Sequence, residues 1–217
     1  MKNFVEIVFI LNGTGAMQGL EKDTIGGFNA LLAKQGKGEG RALVSTVLFD
    51  DTAEVLHDRV PLEQVPRMTE KEYYVRGCTA LLDAMGGAIH HISSIHRYAR
   101  QAERPAKTMV IIITDGMENA SRRYRLGQVK NMVERQKEKY GWEFLFLGAN
   151  MDAIATAAHV GIDADRAVTY ACDAKGTALN YEVVAEAIQT VRCAEPIAPQ
   201  WKKRIDEDRR SRKNLVR

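Results

Sequence analysis

Two apolar runs of strand length constrain the fold of this chain more than any other feature. Val5–Leu11 is interrupted only by Glu6, and Met109–Ile113 consists entirely of Met, Val and Ile. A continuous run, in place of alternating apolar and polar residues, is typical of a parallel strand that helices cover on both faces. The chain is therefore expected to form an α/β domain around a central parallel sheet.

The connection between two further β-rich runs is too short for a helix. Leu43–Phe49 and Ala53–Val60 are separated only by Asp50–Thr52, so they predict an antiparallel hairpin. The order of elements becomes βα(ββ)αβαβαβα. This order predicts a doubly wound, six-stranded sheet that is mostly parallel, with one antiparallel edge strand and helices on both faces.

The charge of the chain is concentrated near its C-terminus. Pro196 and Pro199 follow the last predicted helix, which places a domain at residues 1–195 and a basic tail at residues 196–217. Between Trp201 and Arg217 there are eight Lys or Arg residues and three acids. Clustered cations are typical of segments that bind nucleic acid, so recruitment through residues 201–217 is one hypothesis. The interspersed acids favour a solvated helix instead.

Composition argues against several other classes of protein. The three cysteines, Cys78, Cys172 and Cys193, are an odd number and too few for a disulfide framework. They predict reduced thiols and a cytoplasmic location. No apolar run approaches the roughly 20 residues of a membrane span, so no membrane association is expected. The net charge of +3 does not by itself indicate nucleic-acid binding.

Polar residues follow or precede the predicted elements at three places. Asn12–Ala16 follows the first strand, Gly77–Thr79 precedes a helix, and Thr114–Gly116 follows the central strand. In an open α/β sheet, ligands bind beyond the carboxyl ends of the strands, near the point where the strand order reverses. We therefore expect these three segments to form one site.

Three stretches of sequence resemble the von Willebrand factor A (vWA) domain family, in its bacterial intracellular form. They are VFILNGTGAMQGL, GCTALLDAMG and VIIITDGMENAS, in the order of that family, and the resemblance covers about residues 4–190. In the family the first segment reads D-x-S-x-S, the second supplies a threonine and the third an aspartate. Together these residues hold one Mg²⁺ or Mn²⁺, whose open coordination position takes an acidic group from a partner. The resemblance thus implies a metal-ion-dependent adhesion site.

The residues at this implied site depart from the family pattern. Thr79 and Asp115 match it, Thr14 keeps a hydroxyl, Asn12 replaces an aspartate and Ala16 replaces a serine. Asn12 removes one negative charge and Ala16 removes one ligand, whereas Mg²⁺ prefers octahedral oxygen geometry with carboxylate ligands. The metal site is therefore predicted to be vestigial, with no cofactor or only weakly bound Mg²⁺ or Mn²⁺.

Two alternatives concern Asn12 itself. Its side chain, like that of Thr14, could serve only to satisfy backbone groups of the loop. The pair Asn12-Gly13 is also of the kind that deamidates, and conversion to aspartate would restore the missing charge.

The family resemblance implies a non-enzymatic protein–protein interaction or scaffold module. Its partner would be another protein, bound by the loops at the carboxyl ends of the strands. The residues expected at this rim are Gly13, Gly15, Met17, Cys78, Met117, Glu118 and Asn119. No catalytic Ser–His–Asp set or pair of carboxylates can be argued from residue order, so enzymatic activity is not expected.

A dinucleotide-binding protein is the alternative from a different class. Gly13, Gly15 and Gly19 follow a strand and precede a helix, as in a phosphate-binding loop. Asp50 ends the next strand, where a ribose-binding acid would lie. Against this alternative, the predicted hairpin replaces the strand–helix–strand unit that a cofactor cleft needs.

Overall fold

One six-stranded sheet forms the centre of the structure, a computed structural model that describes residues 4–75, 77–149 and 151–215. Its strands are β1 (Val5–Asn12), β2 (Ala42–Phe49), β3 (Ala53–Pro61), β4 (Lys107–Thr114), β5 (Glu143–Ala149) and β6 (Ala167–Tyr170). They lie in the order β3-β2-β1-β4-β5-β6. All neighbours are parallel except β2 and β3. The predicted fold class is therefore confirmed.

Helices cover both faces of this sheet. They are α1 (Glu21–Gln35), α2 (Leu81–Tyr98), α3 (Leu126–Tyr140), α4 (Ala153–His159), α5 (Ala174–Arg192) and α6 (Lys203–Leu215). Because successive side chains of a strand point to opposite faces, Ile7 and Phe9 pack in the core with α1 and α5. Val8 and Ile10 pack with α2, α3 and α4. Both faces of β1 are thus buried, which explains its continuous apolar run.

No helix within the described ranges combines the length and the apolar character that a bilayer-spanning segment needs.

The predicted hairpin joins β2 and β3, and β3 forms one edge of the sheet. Asp50 makes the turn: its carboxylate accepts hydrogen bonds from the backbone N–H of Thr52 at 2.8 Å and from its hydroxyl at 3.1 Å. The ladder is irregular between Val44 and Val47, and Arg59 opposite has a positive φ of 52°. The strand that would run parallel in a dinucleotide-binding fold is therefore antiparallel and bulged.

The C-terminal segment packs against the domain instead of extending into solvent. Ile197 and Ile205 are 3% and 2% exposed and belong to the same core cluster as α5. The Trp201 indole donates to the carbonyl of Asp165 at 2.8 Å, and the Lys202 ammonium donates to the carbonyl of Ala167 at 2.6 Å. The tail expected at residues 196–217 is thus, as far as residue 215, largely a docked helix.

Several cations of this segment are paired with acids of the chain. Arg204 bridges to Glu182 and Glu186, each at 3.0 Å. Arg212 bridges to Asp208 at 2.6 Å and also to Asp173. Because nucleic-acid affinity depends on cations that neutralise phosphates, these pairs reduce the charge available to a nucleic acid. The tail hypothesis finds no support in this arrangement.

Candidate functional site

Asn12 and Asp115 meet at the carboxyl edge of the two central strands. Asn12 ends β1, and Asp115 directly follows β4; the two strands run in parallel with Leu11 opposite Ile113. The strands that follow β1 in sequence lie on one side of it, and β4 with its successors lies on the other. This reversal is the topological switch point, where open α/β sheets bind ligands.

Hydrogen bonds determine which way the Asn12 amide faces. The backbone N–H of Thr14 donates to Asn12 Oδ1 at 3.1 Å, and because an N–H cannot accept, it identifies the oxygen side of the amide. Asn12 Nδ2 therefore faces β4, where it donates to Asp115 Oδ1 and, at 3.4 Å, to Thr114 Oγ1. The side chain satisfies its own loop, as the local alternative expected, and it also binds the carboxylate.

Asp115 is a buried carboxylate with one unused oxygen. The residue is 5% exposed, and within the described ranges its Oδ2 has no hydrogen-bond partner. Burial raises the pKa of Asp115 to about 6, and hydrogen bonds from its own backbone, Asn12 and Thr14 offset only part of this effect. Ionised Asp115 therefore lacks a compensating cation among these neighbours.

The raised pKa of Asp115 gives the protein a specific pH dependence. The folded protein holds the carboxyl proton of Asp115 more tightly than the unfolded chain does. The contribution of Asp115 to stability therefore declines as pH rises from about 4 to 6, and it stays constant above pH 6. Relative to Asp115→Asn, which keeps the shape but cannot ionise, the wild type should lose about 2–3 kcal/mol across this window. Urea unfolding of both proteins at several pH values measures this difference. Parallel pH profiles would contradict it.

Thr79 connects the second predicted segment to the third. It is 3% exposed, its N–H donates to Asn119 Oδ1 at 2.8 Å, and its carbonyl accepts the N–H groups of Asn119 and Ala120. Gly116 permits this approach, because a Cβ at that position would lie 2.4 Å from Thr79 Oγ1. The structure thus brings all three segments together at one end of the sheet.

Two carboxylates fasten the loop after β4 to the start of α2. Glu118 accepts hydrogen bonds from the N–H groups of Leu82 and of residues 120 and 121, at 2.8–3.1 Å. Asp83 accepts from the N–H groups of residues 122–124. Sequence reasoning missed this role of both residues. Asp83 lies in the first turn of a predicted helix, but its carboxylate binds the loop N–H groups of residues 122–124 and not those of its own helix. For Glu118 the local sequence carries no such signal.

The expected partner-binding rim is only partly accessible. The exposed members are Gly15, Cys78, Met117 and Asn119, and Met117 is 71% exposed. Met17 is a correction, because the short 3₁₀ turn at Gly15–Met17 leaves its side chain 2% exposed, in the interior. Gly13 is buried, and the Glu118 carboxylate is engaged by backbone groups. We call the four exposed members the rim residues.

The donor set of this site, as arranged, does not fit a Mg²⁺ ion. Asp115 supplies one carboxylate, while Asn12 presents an amide nitrogen to it. Ala16 has no donor atom, and its side chain lies outside the part that the structure describes. Within the described ranges, no three His, Cys, Asp or Glu side chains group as metal ligands. Octahedral Mg²⁺ coordination would require the Asn12 amide to turn over and lose its hydrogen bonds to Thr14, Thr114 and Asp115.

The geometry at Asn12 opposes deamidation. The reaction needs the backbone nitrogen of Gly13 to attack the Asn12 side chain, but this N–H donates to the carbonyl of Phe49 at 2.8 Å. Asn12 is itself 2% exposed and hydrogen-bonded at both ends of its amide. We expect mass spectrometry of the aged, folded protein to find unmodified Asn12, while an unfolded control deamidates there. Equal rates in the two samples would contradict the expectation.

Comparison with known proteins defines the fold. No protein-family model matches the chain, and no curated protein sequence matches it. A solved structure of the vWF domain of the type V pili tip protein Mfa5 from Porphyromonas gingivalis is similar, with a TM-score of 0.62 and 11% identity. The similarity covers 89% of this chain and 98% of that one.

Two further solved structures share the architecture. One is proximal thread matrix protein 1 from the mussel byssus with a zinc occupied MIDAS motif, at a TM-score of 0.57 and 14% identity. The similarity covers 86% of this chain and 46% of that one. The other is a von Willebrand factor type A structure from Catenulispora acidiphila, with a TM-score of 0.55 and 14% identity; the similarity covers 83% of this chain and 41% of that one. This chain spans less than half the length of either. It therefore has the fold of von Willebrand factor A domains.

Proposed function

We propose that this chain is a non-enzymatic protein-interaction module that binds its partner directly through the rim residues, without a bridging metal ion. The observation that carries the proposal is the hydrogen bond from Asn12 Nδ2 to Asp115 Oδ1. The family resemblance implies a cation bound at these positions. Here the neutral side-chain amide of Asn12, and not a metal ion, binds the carboxylate of Asp115. The cytoplasmic location and the bacterial origin stay predictions.

The rim offers a partner a rigid, partly apolar surface. Met117 projects its side chain into solvent from a loop that Glu118 and Asp83 hold by backbone hydrogen bonds. A loop that is ordered before binding loses less conformational entropy when a partner docks. Methionine is also a side chain that adapts to varied apolar surfaces. This surface therefore suits a protein partner that contacts Met117 without presenting an acid to a metal.

Photo-crosslinking tests the proposal even though the identity of the partner is open. A benzophenone amino acid replaces Met117 in cells of the organism that encodes the chain, and the matched control replaces Tyr98, which is 83% exposed at the other end of α2. We expect position 117 to give a discrete crosslinked protein, and the addition of EDTA to a lysate should not reduce the yield of this product. Position 98 should not give it. A crosslink that EDTA abolishes would contradict metal-free binding. The same product from both positions would contradict the rim as the interface.

A further inference from the structure

A cavity of about 370 Å³ lies at the opposite edge of the sheet from the rim residues. It opens at the amino end of β4, between α2 and α3. Residues of these three elements line it, together with Trp142, which directly precedes β5. Its volume falls within the range of roughly 300–1,000 Å³ that is typical of small-molecule sites. The proposed protein-interaction function makes no use of this region.

Cations surround the opening of the cavity. Arg97, Arg104, Lys107 and Arg135 line it and are exposed, and no acid is among the described residues that line it. The Arg104 guanidinium donates to the carbonyls of Ala99 at 2.9 Å and of Arg97 at 3.1 Å, which holds it in place. Four positive charges around a concave surface, with no acid among the described lining residues, concentrate a positive potential there. The opening therefore favours an anion.

The inner wall of the cavity combines an aromatic ring with a polar side chain. Trp142 and Gln136 both line it and are 5% and 6% exposed. The Trp142 side chain offers a flat ring, and the Gln136 side chain offers an amide that can donate and accept hydrogen bonds. The wall thus suits a molecule with a flat ring that carries polar atoms.

A buried ion cluster positions this wall. Glu6 is fully buried and accepts hydrogen bonds from Arg59 Nε at 2.7 Å and from His96 Nε2 at 2.6 Å. The His96 ring in turn packs edge-on against Trp142, with the centroids 5.6 Å apart. Because Arg59 compensates the Glu6 carboxylate, that negative charge does not cancel the potential at the opening.

We propose that this cavity binds a small organic phosphate of nucleotide size. The phosphate lies among Arg97, Arg104 and Arg135, and the ring lies against Trp142 with its polar atoms towards Gln136. Guanidinium groups pair with phosphate through two parallel hydrogen bonds, and a phosphate dianion uses more than one of them. A neutral ring or a free phosphate alone would fill only half of this site.

Isothermal titration calorimetry with adenosine 5′-monophosphate as the probe tests the proposal at constant ionic strength. We expect binding of this probe, with adenosine and inorganic phosphate each at least about tenfold weaker. The double variant Arg97→Gln, Arg135→Gln should bind the probe about a hundredfold more weakly, at about tenfold for each lost charge-assisted contact. Gln136→Leu should weaken it about tenfold while retaining the melting temperature within a few degrees.

A second double variant separates site binding from general charge attraction. Arg67→Gln, Arg210→Gln removes the same charge from two exposed arginines that do not line the cavity, so its affinity should equal that of the wild type. An equal loss in both double variants would overturn the proposal. So would the absence of binding at millimolar probe, or inorganic phosphate that binds as tightly as the nucleotide.

Discussion

Replacement of Arg192 by methionine is expected to lower the free energy of unfolding by about 3–5 kcal/mol. Arg192 lies near the end of α5, is 3% exposed, and has no acidic partner within the described ranges. Its guanidinium instead donates to the backbone carbonyls of Gln35, Gly38, Glu39 and Gly40. The loss is large because methionine would leave the buried carbonyl of Gln35 unpaired and would remove the three further bonds that hold residues 38–40.

The carbonyl groups that Arg192 binds belong to Gln35, the last residue of α1, and to the loop that leads to β2. Burial lowers the pKa of Arg192, but guanidinium stays protonated at all ordinary pH values. The guanidinium of Arg192 therefore supplies hydrogen bonds to carbonyl groups at and after the end of α1, a role that turn residues usually have. Arg192→Lys should show an intermediate loss, because an ammonium keeps the charge but cannot span the same set of oxygens.

Chemical denaturation monitored by circular dichroism measures these losses. The matched control is Arg204→Met on α6, whose half-exposed side chain pairs with Glu182 and Glu186 at the surface. Surface ion pairs contribute little, so this control should lose less than about 1 kcal/mol. Equal losses for Arg192→Met and Arg204→Met would show that the buried carbonyl contacts do not stabilise the fold.

Asn12→Asp is expected to destabilise the metal-free protein and, together with Ala16→Ser, to create affinity for Mg²⁺ and Mn²⁺. The new carboxylate would replace an N–H donor beside Asp115, which is itself buried. Two adjacent carboxylates cannot both ionise without a cation between them. The free energy of unfolding should fall by about 2–4 kcal/mol at pH 8, because Asp115 loses the hydrogen bond from Asn12 and is repelled by the new carboxylate.

The sign of the pH dependence distinguishes this repulsion from a packing defect. The pKa of Asp115 is already raised to about 6, and a second carboxylate would raise the apparent pKa of the pair further. The destabilisation should therefore be full above that pH and should shrink as pH falls and one carboxyl group takes up a proton. A loss of stability that is the same at pH 5 and pH 8 would indicate a packing defect instead.

Calorimetry with Mg²⁺ and Mn²⁺ completes the test. The double variant should bind either ion and regain its lost stability, whereas the unaltered chain should show no binding heat at millimolar ion. Asn12→Asp restores a charged oxygen ligand, and Ala16→Ser restores a hydroxyl. Tight binding of Mg²⁺ by the unaltered chain would contradict the metal-free mode proposed for the rim.

The sheet and the place of its site could be predicted from local sequence. β1 and β4 follow from apolar runs that only a doubly covered strand can bury, and the β2–β3 hairpin follows from a turn too short for a helix. The convergence of Asn12 and Asp115 follows because the carboxyl ends of parallel strands share one edge. Thr79 lies in the loop before α2, and its place at the site was implied by the family resemblance.

Features that depend on the directions of side chains could not be predicted in this way. The amide of Asn12 has two possible orientations, and only the position of the Thr14 N–H distinguishes them. Met17 lies in a 3₁₀ turn, where a one-residue difference in helix start exchanges inside for outside. Arg192 meets carbonyl groups more than 150 positions away. The docking of α6 depends on Ile205, a buried apolar residue in a strongly charged segment.

Each free edge of the sheet carries a feature that opposes the addition of another strand. At the β3 edge, Arg59 adopts a left-handed conformation and turns inward to Glu6, which interrupts the regular row of backbone groups. At the β6 edge, the Lys202 ammonium donates a hydrogen bond to the carbonyl of Ala167. The first protection is part of the hairpin, but the second comes from the C-terminal segment. Removal of that segment would therefore expose a templating edge, and the shortened chain should self-associate through β6.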